Sequence, residues 1–153
     1  MKNRKILGFT LIELMIVIAV VAFLSMISIP NFMKFLAKSK RTEALMNLRS
    51  LVIAEKSYWA EHGKYTNVLS GNNGLGWKPS GNNYYTYGFA GAEGQNYFSG
   101  SLKASGGELR NTRADASGFI AAAAGDIDGD GKTDIITIDQ DNKITILQDD
   151  LAD

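Results

Sequence analysis

The feature that most constrains the fold is a long apolar run, Phe9 to Ile29, that contains a single ionisable residue, Glu13. As a helix rising about 1.5 Å per residue, this run is long enough to cross a hydrocarbon core about 30 Å thick. A basic leader with Lys2, Arg4 and Lys5 precedes it. A secretory signal peptide is cleaved after its apolar stretch, at a small-residue site. The order of parts here predicts that the apolar helix stays in the mature protein.

The carboxylate of Glu13 within this apolar run requires an explanation. A lone carboxylate in a membrane span costs on the order of 3 kcal/mol, so Glu13 either snorkels to the interface, is protonated, or has a partner. The charge rule leaves the orientation of the span open, because basic residues flank both ends. They are Lys2, Arg4 and Lys5 before the span and Lys34, Lys38, Lys40 and Arg41 after it.

The junction Gly8-Phe9-Thr10-Leu11-Ile12-Glu13-Leu14 resembles the processing site of type IV pilin precursors and their pseudopilin relatives. This resemblance implies that a prepilin peptidase cuts between Gly8 and Phe9 on the cytoplasmic side and methylates the new amine, which gives N-methylphenylalanine. It also implies that Glu13 accepts the amine of Phe9 from a neighbouring subunit in a filament. The resemblance extends through Pro30 and the segment from Tyr58 to Tyr65, so it covers the first half of the chain well and the second half loosely.

Length and composition bound the rest of the chain. With 153 residues, the expected organisation is a cleaved leader at 1–8, a transmembrane and assembly helix at 9–29, an amphipathic helix at 30–62 and one globular head at 63–153. Without the leader, thirteen basic residues face sixteen acidic ones, so no protein-wide footprint for nucleic acid is expected. The sequence has no cysteine, which excludes a disulfide in the head.

The helix is predicted to continue past its apolar half. Pro30 lacks an amide N–H, so a kink or a locally unwound turn is expected there. Beyond it, apolar residues recur at helical spacing and predict one buried stripe. The stripe contains Leu45, Leu48, Leu51, Val52, Tyr58 and Trp59, whereas Lys34, Lys38, Arg41, Glu43, Arg49, Glu55 and Lys56 are assigned to the remaining faces. The predicted helix ends at His62 and is capped by Gly63.

The head is predicted to be a small antiparallel sheet. Residues 67–83 are rich in Gly and Asn and predict an exposed connection, with Trp77 pinning it to the helix. Strands are predicted within 84–89, 97–102, 119–124, 135–138 and 143–147, and Asp139–Asn142 is predicted to be a hairpin turn. The expected fold is therefore α+β: a long amino-terminal helix packed on a meander of about four strands, with an added edge strand as an alternative. This arrangement resembles the type IV pilin fold.

An acidic segment, residues 126–134, has the spacing of a metal-binding loop. Asp126, Asp128 and Asp130 occupy relative positions one, three and five, a glycine follows at six, and Asp134 stands at nine. This pattern matches the beginning of a calcium loop of the EF-hand type, in which the backbone carbonyl of Lys132 would be the ligand at position seven.

The match is partial, because position twelve is Thr137 and not the bidentate glutamate, and strands are predicted on both sides. The sequence therefore predicts a calcium site completed by water or by a nearby acid such as Asp139. The alternative is a turn in which Asp and Gly residues bond only to the local backbone.

Two other classes of function find little support. With no cysteine, a single histidine and neither a Ser-His-acid nor a phosphate-loop pattern, an enzyme is not expected. His62 is predicted to be structural, at the end of the helix. Lys34, Lys38, Lys40 and Arg41 are interpreted as interfacial anchors and not as a nucleic-acid or lipid-headgroup site.

The preferred hypothesis is a structural subunit of a type IV pilus. The resemblance implies a single-pass precursor in the bacterial inner membrane, a prepilin peptidase and assembly machinery as partners, and a homo-oligomeric helical filament outside the cell. Adhesion, twitching motility or DNA uptake would come from the polymer. The alternatives are the major pseudopilin of a type II secretion system, against which the chain lacks the Pro-Thr segment found after the helix in such proteins, and a membrane-tethered calcium-binding module that does not polymerise.

Overall fold

The computed structural model of the protein describes residues 8–152. The predicted basic leader residues Lys2, Arg4 and Lys5 lie outside the described residues. The chain divides into two compact units, Met1–Phe35, called here the apolar unit, and Leu36–Asp153, called the head unit.

One helix, α1, runs from Leu11 to His62 without interruption. Its first turn is capped reciprocally: the Glu13 amide donates to the Thr10 hydroxyl at 3.2 Å, and the Thr10 amide donates to the Glu13 carboxylate at 3.5 Å. This is a capping box, which satisfies two amides that have no partner within the helix. The helix ends as predicted, because Gly63 has a φ of 69° and its amide donates to the Trp59 carbonyl at 2.8 Å.

The apolar unit exposes its side chains. All of its described residues are exposed except the partly buried Ser25, and Phe9 and Met26 are exposed to 77% and 74%. Of the helices within residues 8–152, α1 is long and apolar enough to cross a membrane. Residues on both sides of Pro30 are α-helical, so the unwound turn that was the alternative to a kink is absent from this part of α1.

The head unit contains an antiparallel sheet of six strands. The strands are β1 (Thr86–Gly88), β2 (Tyr97–Phe98), β3 (Arg113–Ala114), β4 (Phe119–Gly125), β5 (Asp134–Asp139) and β6 (Ile144–Gln148). Their order is β2-β1-β4-β5-β6, and β3 pairs with the first residues of β4. A single-turn 3₁₀ helix, Gly106–Glu108, lies between β2 and β3.

The strand count and order correct the sequence-based meander. Among the described residues the sheet has six strands, somewhat more than the predicted four or so with an added edge strand, and β1 pairs with β4, whereas a meander would place β2 there. The reason is burial: all three residues of β1 are buried, whereas both residues of β2 are only partly buried, so β1 takes the inner position. The hairpin between β5 and β6 forms as predicted, because Asn142 adopts a φ of 62° and its amide donates to the Asp139 carbonyl at 3.0 Å.

The core of the head unit lies between the second half of α1 and the sheet. Leu48, Leu51 and Val52 of the predicted stripe are buried, and they belong to one cluster with aromatic and aliphatic side chains of the sheet. The other large members of that cluster are Leu69, Trp77, Tyr85, Tyr87, Phe89, Phe119, Ile127, Ile136 and Ile138.

The stripe differs from the prediction at two positions. Trp59 is 47% exposed, whereas Glu55, which the sequence places on a solvated face, is fully buried. The Glu55 carboxylate accepts the Thr66 amide at 3.2 Å, so it holds the chain segment that follows the helix. Burial raises the pKa of Glu55 to about 7 against the opposing hydrogen bond from Thr66.

The connection after the helix is attached to α1. The indole N–H of Trp77 donates to the Ser50 hydroxyl at 2.9 Å, and the Asn47 amide both donates to and accepts from the backbone of Ser80. Trp77 is buried, so the prediction that it pins this connection to the helix is confirmed.

Candidate functional site

The first candidate site is the Gly8–Glu13 junction in the apolar unit. Gly8, Phe9, Thr10 and Glu13 are all exposed. The predicted cleavage point therefore lies in an accessible segment immediately before the first residue of α1. Within the described chain, the Glu13 carboxylate engages only the local amide of Thr10. Thr10 acts at the helix start, and the proposed pairing of Glu13 with the amine of a neighbouring Phe9 involves a second subunit.

The second candidate site is the acidic loop between β4 and β5. Asp126 accepts the amides of Gly129 and Gly131 at 2.7 and 3.0 Å, and Asp128 accepts the amide of Asp130 at 3.1 Å. Positive φ angles at Gly129 and Gly131 allow the sharp turn, since they lie in a backbone region that residues with a Cβ seldom adopt. These bonds gather the carboxylates on one side of the loop.

A fourth carboxylate joins the three from the loop. Ligand oxygens of Asp126, Asp128, Asp130 and Asp150 all lie within 4.8 Å of one another, and we call these residues the carboxylate cluster. Asp150 follows β6, is only 2% exposed and accepts the Ile127 amide at 3.0 Å through Oδ2. Its Oδ1 is buried and has no hydrogen-bond partner among the described residues.

The environment of Asp150 favours its neutral form. Burial is the largest cause that raises the pKa of its carboxyl, and the charges of the other three cluster members raise it further. The amide of Ile127 acts in the opposite direction. A buried carboxylate with one unpaired oxygen, facing three like charges, is unfavourable without a compensating positive charge.

Asp134, the predicted ligand at position nine, lies in a different environment. It is fully buried at the start of β5, where it accepts hydrogen bonds from the Arg41 guanidinium, the Tyr85 hydroxyl at 2.6 Å and the Asp150 amide at 3.3 Å. Burial and this hydrogen bond raise the pKa of Tyr85. The structure therefore uses Asp134 as the partner of an arginine on α1, and Asp150 occupies the place in the cluster that the spacing assigned to Asp134.

Lys132 and Asp139, the remaining predicted ligands, have different surroundings. Lys132 follows the cluster residues, its amide donates to Asp130 at 2.7 Å, and its ammonium lies 3.8 Å from the same carboxylate. Asp139 accepts the amides of Asp141 and Lys143 in the hairpin turn after β5. Asp139 therefore stabilises this turn and is not a member of the described cluster.

Two neighbouring residues of α1 hold the segments that form the cluster. The Lys40 ammonium donates to the Ile127 carbonyl at 2.7 Å, and the Arg41 guanidinium pairs with both Asp134 and Asp149. Burial lowers the pKa of Arg41, but its hydrogen bonds to the two carboxylates outweigh this effect and raise it. Sequence reasoning assigned Lys40 and Arg41 to membrane anchoring and missed these bonds, because no spacing rule connects them to residues about ninety positions later.

His62 has a local role at the end of α1. Its ring stacks on Tyr58 with centroids 4.0 Å apart, and Nδ1 lies 3.1 Å from the Tyr58 carbonyl oxygen. It is the last residue of the helix, as predicted. This stacking on its own helix fits the predicted structural role.

Comparison with known proteins supports the interpretation of the first site. Residues 3–29 match the model of the prokaryotic N-terminal methylation motif. Residues 118–147 match the model of the FG-GAP repeat, a stretch that contains the acidic loop but ends before Asp150.

Individual relatives match part of the chain. It is 45% identical over 93 residues to the type IV major pilin protein PilA of Myxococcus xanthus, which covers 61% of this chain and 40% of that protein. It is 40% identical over 58 residues to a type IV major pilin protein PilE1 of Neisseria gonorrhoeae, covering 38% of this chain and 35% of that one. It is also 40% identical over 68 residues to the prepilin peptidase-dependent protein D of Escherichia coli, covering 44% and 47%.

These alignments span less than half the length of each relative. In addition to these alignments, the chain has a methylation motif at the predicted position and a long helix packed on an antiparallel sheet. Together, the motif and these alignments show that this chain is similar to type IV major pilins over the matched residues.

Proposed function

We propose that this chain is a structural subunit that polymerises into a type IV pilus. The observation that carries the proposal is an exposed apolar helix whose first part, up to residue 29, lies within the match to the prokaryotic N-terminal methylation motif. Such a surface is stable in a bilayer or against other apolar helices, but not in water. In the precursor, the inner membrane would cover this apolar surface. In the filament, the apolar helices of neighbouring subunits would cover it.

In this proposal a prepilin peptidase cuts between Gly8 and Phe9 and methylates the Phe9 amine. Cutting creates a positive charge close to the helix start, where the Glu13 carboxylate of a neighbouring subunit becomes its partner. A charge-assisted pair is strengthened where water is excluded. The role is structural and requires no catalytic group of this chain. Two of the three reported relatives are named type IV major pilins, which favours a pilus over a pseudopilus.

Mass spectrometry of filaments sheared from the producing bacterium tests this proposal. We expect an intact mass that begins at Phe9 with one added methyl group. A Gly8→Ala variant, matched to a Gly107→Ala control at an exposed position of the head where a Cβ fits, is expected to remain as the uncut membrane form. Filaments built from uncut chains would contradict the proposed processing, and an absence of this chain from surface filaments would contradict the subunit role.

We propose further that the carboxylate cluster binds calcium. Hard carboxylate oxygens are the ligands that Ca²⁺ prefers, and Asp126, Asp128, Asp130 and Asp150 supply four such groups. The unpaired, buried Oδ1 of Asp150 supports a cation over a turn held only by backbone hydrogen bonds, because those bonds leave this atom unsatisfied. The Lys132 carbonyl remains the proposed ligand at position seven. A bound cation would supply positive charge that joins the loop to Asp150.

Isothermal titration of the full chain in detergent micelles tests this second proposal. We expect calcium to bind with an affinity in the range of extracellular modules, about 10⁻⁴ to 10⁻³ M, since the loop lacks the bidentate glutamate of tight sites. Asp128→Asn should weaken binding, whereas Asp141→Asn in the β5–β6 turn makes the same charge change outside the cluster and should not. Equal binding by both variants would locate the site elsewhere, and no calcium heat in the unmodified chain would refute it.

A further inference from the structure

The carboxylate cluster is assembled from two segments that are far apart in sequence. Three members lie in the loop between β4 and β5, and the fourth, Asp150, belongs to the 149–152 segment that follows β6. The Ile127 amide bridges them by donating to Asp150 Oδ2 at 3.0 Å. Occupancy of the cluster therefore affects how these two segments are held together.

Each of the two segments is also bonded to the same turn of α1. Lys40 donates to the Ile127 carbonyl at the loop, and Arg41 pairs with Asp149 in the 149–152 segment. Because Ile127 bonds to Lys40 through its carbonyl and to Asp150 through its amide, one residue connects the cluster to the helix.

A second connection runs through Asp134. The Asp150 amide donates to Asp134 Oδ1, the atom that the Arg41 guanidinium also contacts, and Arg41 Nε donates to Asp134 Oδ2 at 3.1 Å. The side chain of Asp150 thus belongs to the cluster while its backbone belongs to the buried ion pair. All of these groups lie within the head unit.

The charges of the cluster determine whether a bound cation strengthens or weakens the contact between the loop and the 149–152 segment. Four carboxylates within 4.8 Å repel one another when they are ionised, and the repulsion acts on Asp150 in the direction that separates the 149–152 segment from the loop. A divalent cation replaces that repulsion with attraction. A ligand that binds one arrangement better stabilises that arrangement, in proportion to its occupancy.

We propose that a divalent cation at the carboxylate cluster stabilises the packing of the 149–152 segment and of the Lys40–Arg41 turn of α1 against the sheet. This inference rests on the cation site proposed above and adds what the site controls. The head would then hold this turn of its helix more firmly where calcium is abundant than where it is scarce.

Hydrogen–deuterium exchange of the full chain in detergent micelles, with calcium or with a chelator, tests the inference. At a calcium concentration about ten times the dissociation constant, we expect exchange to slow about tenfold in three regions. These are the loop at 126–131, the 149–152 segment and the α1 peptide that covers residues 38–44. The same samples are titrated by calorimetry, so that binding and its structural effect are measured separately.

Three variants test the separate steps of the connection between the carboxylate cluster and α1. Asp150→Asn keeps an acceptor for the Ile127 amide but removes the ligand charge, and we expect it to weaken binding and abolish calcium protection of the α1 peptide. Asp141→Asn is the matched control and should behave as the unmodified chain. Arg41→Gln should still bind calcium and protect the loop, but lose most of the protection at 38–44.

The outcomes distinguish the two proposals. If calcium binds but slows exchange only at 126–131 in the unmodified chain, the coupling to α1 is wrong and the cation site stands. If Arg41→Gln retains full protection at 38–44, the route through the ion pair is wrong. If no calcium binds, the site fails and the inference fails with it. Should Asp150→Asn not fold, Asp128→Asn serves in its place, since it removes a cluster charge without altering the 149–152 segment.

Discussion

In the apolar unit nearly every large side chain is exposed, whereas in the head unit the largest side chains fill a core between α1 and the sheet. Both units share the same helix, and within residues 8–152 all the buried residues of that helix belong to the head unit. The charged residues differ in the same way. Among residues 8–152, Glu13 accepts a hydrogen bond from the local amide of Thr10, whereas Arg41 and Glu55 bond to residues of the sheet and of the connection that follows α1. The second half of α1 is stabilised by packing within the head, whereas the proposed cover for its apolar half is a membrane or other subunits.

The largest expected effect is at Glu13, where the partner is proposed to be another subunit. Glu13→Ala should abolish surface filaments while the protein remains in the membrane, because the carboxylate that accepts the Phe9 amine is lost. Filaments are counted by electron microscopy and in the sheared fraction. Glu61→Ala, an exposed glutamate near the end of the same helix, is the control and should leave them intact. Normal filaments from Glu13→Ala would show that this half of α1 does not need the pair.

A second test compares two neighbouring positions of α1 in the head unit. Leu51 is fully buried, whereas Ile53 is 71% exposed. Leu51→Ala should lower the free energy of unfolding by about 2 to 5 kcal/mol because it leaves a cavity in the core. Ile53→Ala should change it by about 0.5 kcal/mol or less. Thermal unfolding of the full chain in detergent, followed by near-ultraviolet circular dichroism, measures both. Similar losses from the two variants would contradict the assignment of the buried face.

The smallest expected effect concerns pH and Glu55. Burial raises the pKa of this carboxyl to about 7 in the folded head, above its ordinary value of 4.5. The folded state therefore binds the proton more tightly, so its stability falls as pH rises from about 4.5 through about 7 and is constant above that. Glu55→Gln removes the penalty and keeps an acceptor for the Thr66 amide. It should stabilise the head at pH 8 by on the order of 2 to 3 kcal/mol and have little effect at pH 4.

The measurement is thermal unfolding of Glu55→Gln and of the unmodified chain at both pH values. Glu61→Gln, which removes an exposed carboxylate from the same helix, is the matched control and should be neutral at both. A Glu55→Gln variant that is destabilised at pH 8 would indicate that the ionised carboxylate contributes to the fold. It would also mean that the head tolerates this buried charge through a partner beyond Thr66.

The acidic loop shows which parts of a site a spacing pattern can predict and which it cannot. The positions of Asp126, Asp128 and Asp130 within one turn are local, and the structure brings their carboxylates together as predicted. The identity of the fourth carboxylate is a tertiary result, because Asp150 reaches the loop only after β5 and β6 have paired. Asp134 meets the spacing rule, yet it is bonded to Arg41. A motif of nine residues contains no information about an arginine on a distant helix.

The sequence by itself determined the long helix, the junction at Gly8–Phe9, the cap at Gly63 and the hairpin turn at Asp139–Asn142, because each depends on residues a few positions apart. Only the tertiary structure decided the inner position of β1, the burial of Glu55, the role of Asp134 and the membership of Asp150 in the carboxylate cluster. These outcomes depend on which surfaces meet when α1 packs on the sheet, and contacts between residues far apart in sequence follow no fixed spacing.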